Sequence, residues 1–198
     1  MASPRKEPIE VNRKLAILGF REVGKTTLAT QFAEGSSTNG AGVLGEYEPT
    51  IENTFRKTIT IGRARFNTEI VDTAGMDEYS RLSRNASVGV HGYLLVFSTT
   101  SRSSFDKVRL INEVLLNMLG DALDVPRVLV GSKLDLQEQR QVNSEEGASL
   151  ADEWGVPYWE CSARANINVD KVFTAVVQEI EKDSGLLIEE KEEPCIII

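Results

Sequence analysis

The stretch LAILGFREVGKTT, Leu15 to Thr27, decides the fold. Four apolar residues precede a glycine, and the run Lys14 to Leu18 reads as a buried strand. Lys25 to Ala33 then reads as a helix. Between them Gly19, Gly24, Lys25 and Thr26 match the pattern GxxxxGK[ST], in the strand-to-helix setting that gives the pattern meaning. Glycine lets the backbone wrap a phosphate group with its N–H donors, at the positive end of the helix. Lys25 would reach the β and γ phosphates, and the Thr26 hydroxyl would ligate Mg²⁺. The expected phosphate contacts are therefore Arg21, Glu22, Val23, Gly24, Lys25, Thr26 and Thr27. The competing reading is a glycine-rich turn with a solvated lysine, which the flanking strand and helix disfavour.

Outward from this loop the pattern alternates. Thr54 to Ile61, a Gly62-Arg63 turn and Arg65 to Val71 form a hairpin with β-branched alternation. Three apolar runs follow, starting at Tyr93, Arg127 and Pro157, separated by helical patterns over Ser103 to Leu119, Ser144 to Trp154 and Val169 to Lys182. Strands this apolar, with helices between them, predict an α/β fold. Its sheet is six-stranded and mostly parallel, with one antiparallel edge strand and helices on both faces. Residues 1–12 are expected to be a flexible extension, 13–182 one domain, and 183–198 an acidic tail. Gly35 to Gly45, rich in small residues, reads as a loop.

Composition narrows the classes. The 198 residues are 41% hydrophobic and 26% charged, with a net charge of −8. That balance repels nucleic acid and gives no general attraction to anionic lipid, so a phosphate ligand needs a local site. No apolar stretch approaches the roughly 20 residues of a membrane span. Met1 to Val11 is polar and carries two prolines, unlike a secretory leader, and a cytoplasmic protein is expected. Cys161 and Cys195 make no disulfide framework, and neither has metal-ligand spacing with His91. His91 reads as a satisfied residue at a strand start.

In a parallel sheet ligands sit beyond the carboxyl ends of the strands. DTAGMDEY, Asp72 to Tyr79, follows the hairpin. Asp72 there can hold Mg²⁺, and Gly75 can bring its N–H to a γ-phosphate. GSKLD, Gly131 to Asp135, and CSAR, Cys161 to Arg164, follow later strands. The Asp135 carboxylate can accept two parallel hydrogen bonds from guanine, whereas adenine presents an acceptor to it. An aspartate capping a helix or turn is the bland alternative.

The four loops together resemble the Ras superfamily of small GTPases, over nearly the whole chain. The arginine in GFREVGKT, the segment YEPTIENTF from Tyr47 and DTAGMDEYS from Asp72 resemble the Rheb branch in particular. The resemblance implies a P-loop NTPase fold and a slow GTPase that signals from its GTP state. It implies GTP, GDP and Mg²⁺ as cofactors. Thr50 becomes the switch I threonine that closes on Mg²⁺ and the γ-phosphate, so the metal set is Thr26, Thr50 and Asp72. Tyr47 can lie over the phosphates, and the catalytic set is Lys25, Tyr47, Thr50 and Gly75. Asp72 to about Ser83 is switch II. Val43, Ser132, Lys133, Ser162 and Ala163 join Asp135 around the base. An effector at Tyr47 to Asn53, the TOR kinase complex by resemblance, and a GTPase-activating protein are implied partners of a monomer. The terminal CIII fits a CaaX box, which implies a prenyl group on Cys195 and peripheral attachment to endomembranes. With EEKEEP upstream instead of a basic patch, one lipid anchors only marginally.

Several positions depart from the family. Met76 stands where a glutamine usually orients the attacking water, and a thioether cannot donate the needed bond. Slow hydrolysis is therefore expected, and Met76→Gln is expected to speed it; the alternative is a tolerated exposed methionine. Arg21 crowds the space where activating proteins insert a catalytic residue. Ser132 replaces the asparagine of NKxD, at an expected cost of about 1 kcal/mol. Val43 stands where an aromatic often packs on guanine. A hydrolysis-dead GTP-binding scaffold is the second reading, and a P-loop kinase or ATPase a poor third.

Overall fold

The computed structural model describes residues 8–35, 52–76, 84, 86–120, 124–182 and 184–187. In chain order these form β1 (Ile9–Gly19), α1 (Lys25–Glu34), β2 (Glu52–Ile61), β3 (Ala64–Thr73), β4 (Gly92–Ser98), α2 (Arg102–Met118), β5 (Arg127–Ser132), α3 (Ser144–Trp154), β6 (Tyr158–Glu160) and α4 (Val169–Ile180). One short 3₁₀ turn, Gln137–Gln139, lies before α3. Among the described residues the strands make one six-stranded sheet in the order β2-β3-β1-β4-β5-β6. Of its strand pairs only β2–β3 is antiparallel. The expected architecture is the observed one.

Strand alternation sorts the core into two layers. Leu15 and Ile17 of β1, with Leu94 and Val96 of β4, face a cluster built with Leu28 and Phe32 of α1 and Phe173 and Val176 of α4. Phe32 and Phe173 stack at 3.8 Å between ring centroids. Ala16, Leu18, Leu95 and Phe97 face the opposite cluster, with Phe105, Val108 and Leu115 of α2 and Leu150 of α3. Both faces of the central strands are thus dry, which is why they read as unbroken apolar runs.

The edges of elements correct the sequence reading. The first 12 residues are not all an extension, because Ile9 to Asn12 pair with Ala64 to Asn67 of β3. α4 ends at Ile180, not Lys182: Glu181 is its cap, buried and paired with Arg13 of β1. The last described residue, Leu187, packs on the first cluster. β6 keeps only Tyr158 to Glu160 of the run from Pro157. Residues 36–45 of the small-residue loop lie outside the described residues. His91 stands directly before β4, its Nδ1 accepting the Lys14 N–H at 2.9 Å.

Candidate nucleotide site

The phosphate loop is held open by backbone geometry that its sequence specifies. Gly24 has φ 94°, left-handed space that glycine enters freely, and it caps α1. Glu22 enters the same region at φ 61°, where a side chain is strained. Arg21 and Glu22 are exposed, Val23 is buried, and Thr26 and Thr27 open α1. The Lys25 side chain folds back along the loop, its Nζ donating to the carbonyls of Gly19 at 3.1 Å and Phe20 at 3.0 Å. Burial pushes the Lys25 ammonium down to about 8, while the Asp72 charge pulls it up. A desolvated cation in this position favours an anionic partner.

Asp72, at the carboxyl end of β3, is fully buried. The Thr26 hydroxyl donates to its Oδ2 at 2.6 Å, and its Oδ1 has no partner. Burial raises the Asp72 carboxyl, against the Thr26 hydrogen bond and the Lys25 charge. An orphaned carboxylate oxygen beside a threonine hydroxyl is the donor set a small hard cation takes. Among the described residues no group of three His, Cys, Asp or Glu side chains could hold a metal by itself. The residues fit Mg²⁺ of the substrate-sharing kind, bound by one carboxylate, hydroxyls and phosphate oxygens.

Gly75 lies against the phosphate loop so closely that a Cβ there would stand 2.5 Å from the Arg21 Cα. The Met76 N–H donates to the Gly19 carbonyl at 3.0 Å. Its side chain is buried in the cluster under α2 with Leu18, Val71 and Tyr93. The alternative for Met76 does not hold, because it is not a tolerated exposed residue and its thioether belongs to the core. The apolar cluster claims the side chain, so a glutamine in its place would have to leave that cluster to meet water at the phosphates.

The base loops close from the other side. Ser132, at the end of β5, donates its hydroxyl to the carbonyl of Val23 at 2.5 Å and of Phe97 at 2.9 Å. It therefore ties β5 to the phosphate loop. Its single proton is spent on carbonyls. Lys133 is left-handed at φ 62°. The Ser162 hydroxyl donates to Asp135 Oδ1 at 2.6 Å, which orients the carboxylate. Asp135 is no helix cap, since Leu136 precedes the 3₁₀ turn. Ala163 is half-buried against the core, and Arg164 is exposed.

Lys25, Thr26, Asp72 and Gly75 are thus gathered at one end of the sheet, as are Ser132, Asp135 and Ser162 at the neighbouring strands. Val43, Tyr47, Thr50, switch II from Asp77 to Ser83 and Cys195 lie outside the described residues. Sequence reasoning missed Thr99, whose hydroxyl donates to the Ser132 carbonyl at 3.0 Å. It also missed Phe20, whose ring lies under Arg21 and Lys107, and Asn168, left-handed at φ 57° behind the CSAR loop. An asparagine in the run ANIN was the available signal, since asparagine tolerates that backbone.

The model of the Ras family matches residues 14–182. The chain belongs to the Ras family. It is 47% identical over 174 residues to the GTP-binding protein rhb1 of Schizosaccharomyces pombe, covering 88% of this chain and 90% of that protein. It is 42% identical over 178 residues to GTP-binding protein Rheb of Homo sapiens, covering 90% and 93%. It is also 48% identical over 174 residues to the small monomeric GTPase RhbA of Aspergillus fumigatus, covering 87% and 89%. These relatives put it in the Rheb branch of that family.

Proposed function

We propose that this chain is a slow GTP-driven switch that rests largely in its GTP state and signals from it. Ras-family proteins are GTPases that bind GTP and GDP with Mg²⁺, and this chain is one of them. In the reaction water attacks the γ-phosphorus, its bond to the bridging oxygen of GDP breaks, and GDP and phosphate leave. The observation that carries the reading is buried Lys25 and Asp72 with half-buried Thr26 bonded to Asp72, one carboxylate oxygen left unpaired, beneath the phosphate loop. Lys25 would neutralise the β and γ phosphates, and Gly75 would offer its N–H to the γ-phosphate. Thr26, Thr50 and Asp72 would hold Mg²⁺, which when bound offsets charge on the phosphates. Arg21 to Thr27 would line the phosphates, with Tyr47 over them. Val43, Ser132, Lys133, Asp135, Ser162 and Ala163 would surround guanine.

Slow turnover is supported by the burial of Met76, which leaves that position without a group to orient water. By resemblance to Rheb-type proteins, residues 47–53 would present the effector surface, with the TOR kinase complex as partner, and a GTPase-activating protein would supply what Met76 does not. Among the described residues no helix is long and apolar enough to cross a membrane. Attachment to endomembranes would rest on a prenyl group at Cys195. The buried Met76 also favours the second reading, a scaffold that binds GTP without hydrolysing it. Chromatography of the nucleotide released from purified protein, followed by a single-turnover assay with GTP and Mg²⁺ over hours, separates them. Copurified guanine nucleotide with slow release of phosphate supports the switch. Guanine nucleotide with no phosphate release supports the scaffold, and absence of any guanosine compound rejects both.

A further inference from the structure

Glu160, the last residue of β6, is gripped at both of its ends by the segments that follow the two base loops. Its carboxylate accepts two N–H groups of Arg140, each at 2.8 Å, and the Tyr158 hydroxyl, also at 2.8 Å. Its carbonyl accepts the Asn168 side-chain amide at 2.8 Å. Arg140 follows the 3₁₀ turn that continues from Asp135, while Asn168 closes the turn that continues from Ser162 and Ala163. The ion pair is mostly shielded, with side chains 16% and 13% exposed, and bidentate pairing fixes its orientation as well as its charge. Tyr158 cannot swing aside. A Cβ on Gly147 of α3 would already stand 2.3 Å from its hydroxyl, so α3 rests directly on it.

The base loops touch each other at the front through the 2.6 Å bond from Ser162 to Asp135. Behind them, Glu160 is bonded to both following segments at once. A carboxylate that must meet two parallel donors of guanine tolerates little displacement, and Asp135 is exposed, with its bond from Ser162 to steady it. We propose that Glu160 is a positioning residue for guanine recognition, setting the spacing between the Asp135 loop and the Ser162–Ala163 loop through Arg140 and Asn168. The inference rests on the guanine-nucleotide reading given above. Arg140, Glu160 and Asn168 act through the base loops and lie outside them.

The test uses the full chain loaded with a fluorescent methylanthraniloyl-GDP, chased with unlabelled GDP, and measures the preference for GDP over IDP by competition. IDP lacks the amino group that would donate to Asp135. Asn168→Gly keeps the left-handed backbone and removes only the amide; Arg140→Gln removes the pair, and Arg140→Lys keeps a charge. Asn168→Gly and Arg140→Gln are each expected to speed release about ten-fold, as a hydrogen bond to a charged or buried group implies. Both act through one residue, so the double variant should release little faster than either single. The preference for GDP over IDP should narrow in each, and Arg140→Lys should recover part of both effects. Release within about two-fold of wild type would overturn the proposal. So would faster release at an unchanged GDP-to-IDP ratio, the sign of general loosening. A wild-type chain that binds no labelled GDP would instead reject the nucleotide reading itself.

Discussion

Met76 shows how one side chain can settle between two demands. The loop after Gly75 needs a group that faces the phosphates, but the residue there is apolar and the nearest dry surface is the cluster of Leu18, Val71 and Tyr93. Burial of a large apolar side chain stabilises by about 1.5–3 kcal/mol, so the core wins. Met76→Gln would put an amide without partners into that cluster, or expose it. The expected outcome is a melting temperature lowered by several degrees, as about 1–3 kcal/mol implies for a domain of this size. Single-turnover hydrolysis should stay slow; a rise of ten-fold or more would show that position 76 does face water at the phosphates. Ser132 poses the complementary case. Its one proton is committed to the carbonyls of Val23 and Phe97, and no side-chain donor remains for the base. Asparagine has two N–H donors and can hold the phosphate loop while reaching further. Ser132→Asn should therefore slow GDP release about ten-fold, read by fluorescence chase, and an unchanged rate would count against this account.

At the scale of elements, the strands were legible where they are buried on both faces and obscure where they are not. Leu15 to Ile17 of β1 pairs with both β3 and β4, whereas Ile9 to Lys14 pairs with β3 alone and alternates with polar residues. That half of the strand consequently reads as an extension. The loops were legible because their chemistry is local: a glycine pattern, a DxxG, an aspartate after a strand. Arg140, Glu160 and Asn168 were not, since the contacts that give them meaning join separate elements. Charge makes a testable statement about α3. Glu146 in its first turn accepts from Arg102 at 2.6 and 2.8 Å and from the Asn143 N–H at 3.0 Å. The Arg102 and Asn143 hydrogen bonds hold its carboxyl down to about 2, from an ordinary value of 4.5. Glu160 is also lowered, since Arg140 and Tyr158 outweigh the opposing effect of burial. A carboxyl depressed in the folded state adds stability that is complete above its unfolded value and disappears as pH falls through its folded one. The contribution of these two carboxyls to the urea midpoint should therefore hold from neutral pH down to about 5 and fade between about 4.5 and 2. Arg102→Gln should lie slightly below wild type at neutral pH and merge with it in acid. The gap should shrink in salt, because the pair is solvent-exposed.

Across the whole molecule, the carboxyl end of the sheet brings a buried lysine and a buried aspartate together beside the phosphate loop. Lys25 and Asp72 are both desolvated, and Asp72 Oδ1 is left unpaired. Such groups cost stability in the bare protein and return it when a polyanion and a divalent cation arrive. The native state should therefore depend on its ligands more than a core of this extent would suggest. GDP with Mg²⁺ at one hundred times its dissociation constant adds about 2.7 kcal/mol. For a domain of this size that raises the melting temperature by roughly 5–11 °C. Chelating Mg²⁺ with EDTA should take back part of this gain and speed GDP release, because Asp72 again lacks a partner for Oδ1. Asp72→Asn keeps the shape of the side chain but not its charge, so it should bind GDP more weakly and lose most of its response to EDTA. Differential scanning fluorimetry of both proteins, with and without GDP, Mg²⁺ and EDTA, reads every term of this comparison. A wild-type melting temperature indifferent to EDTA, or an Asp72→Asn variant as sensitive as wild type, would remove Asp72 from the metal site.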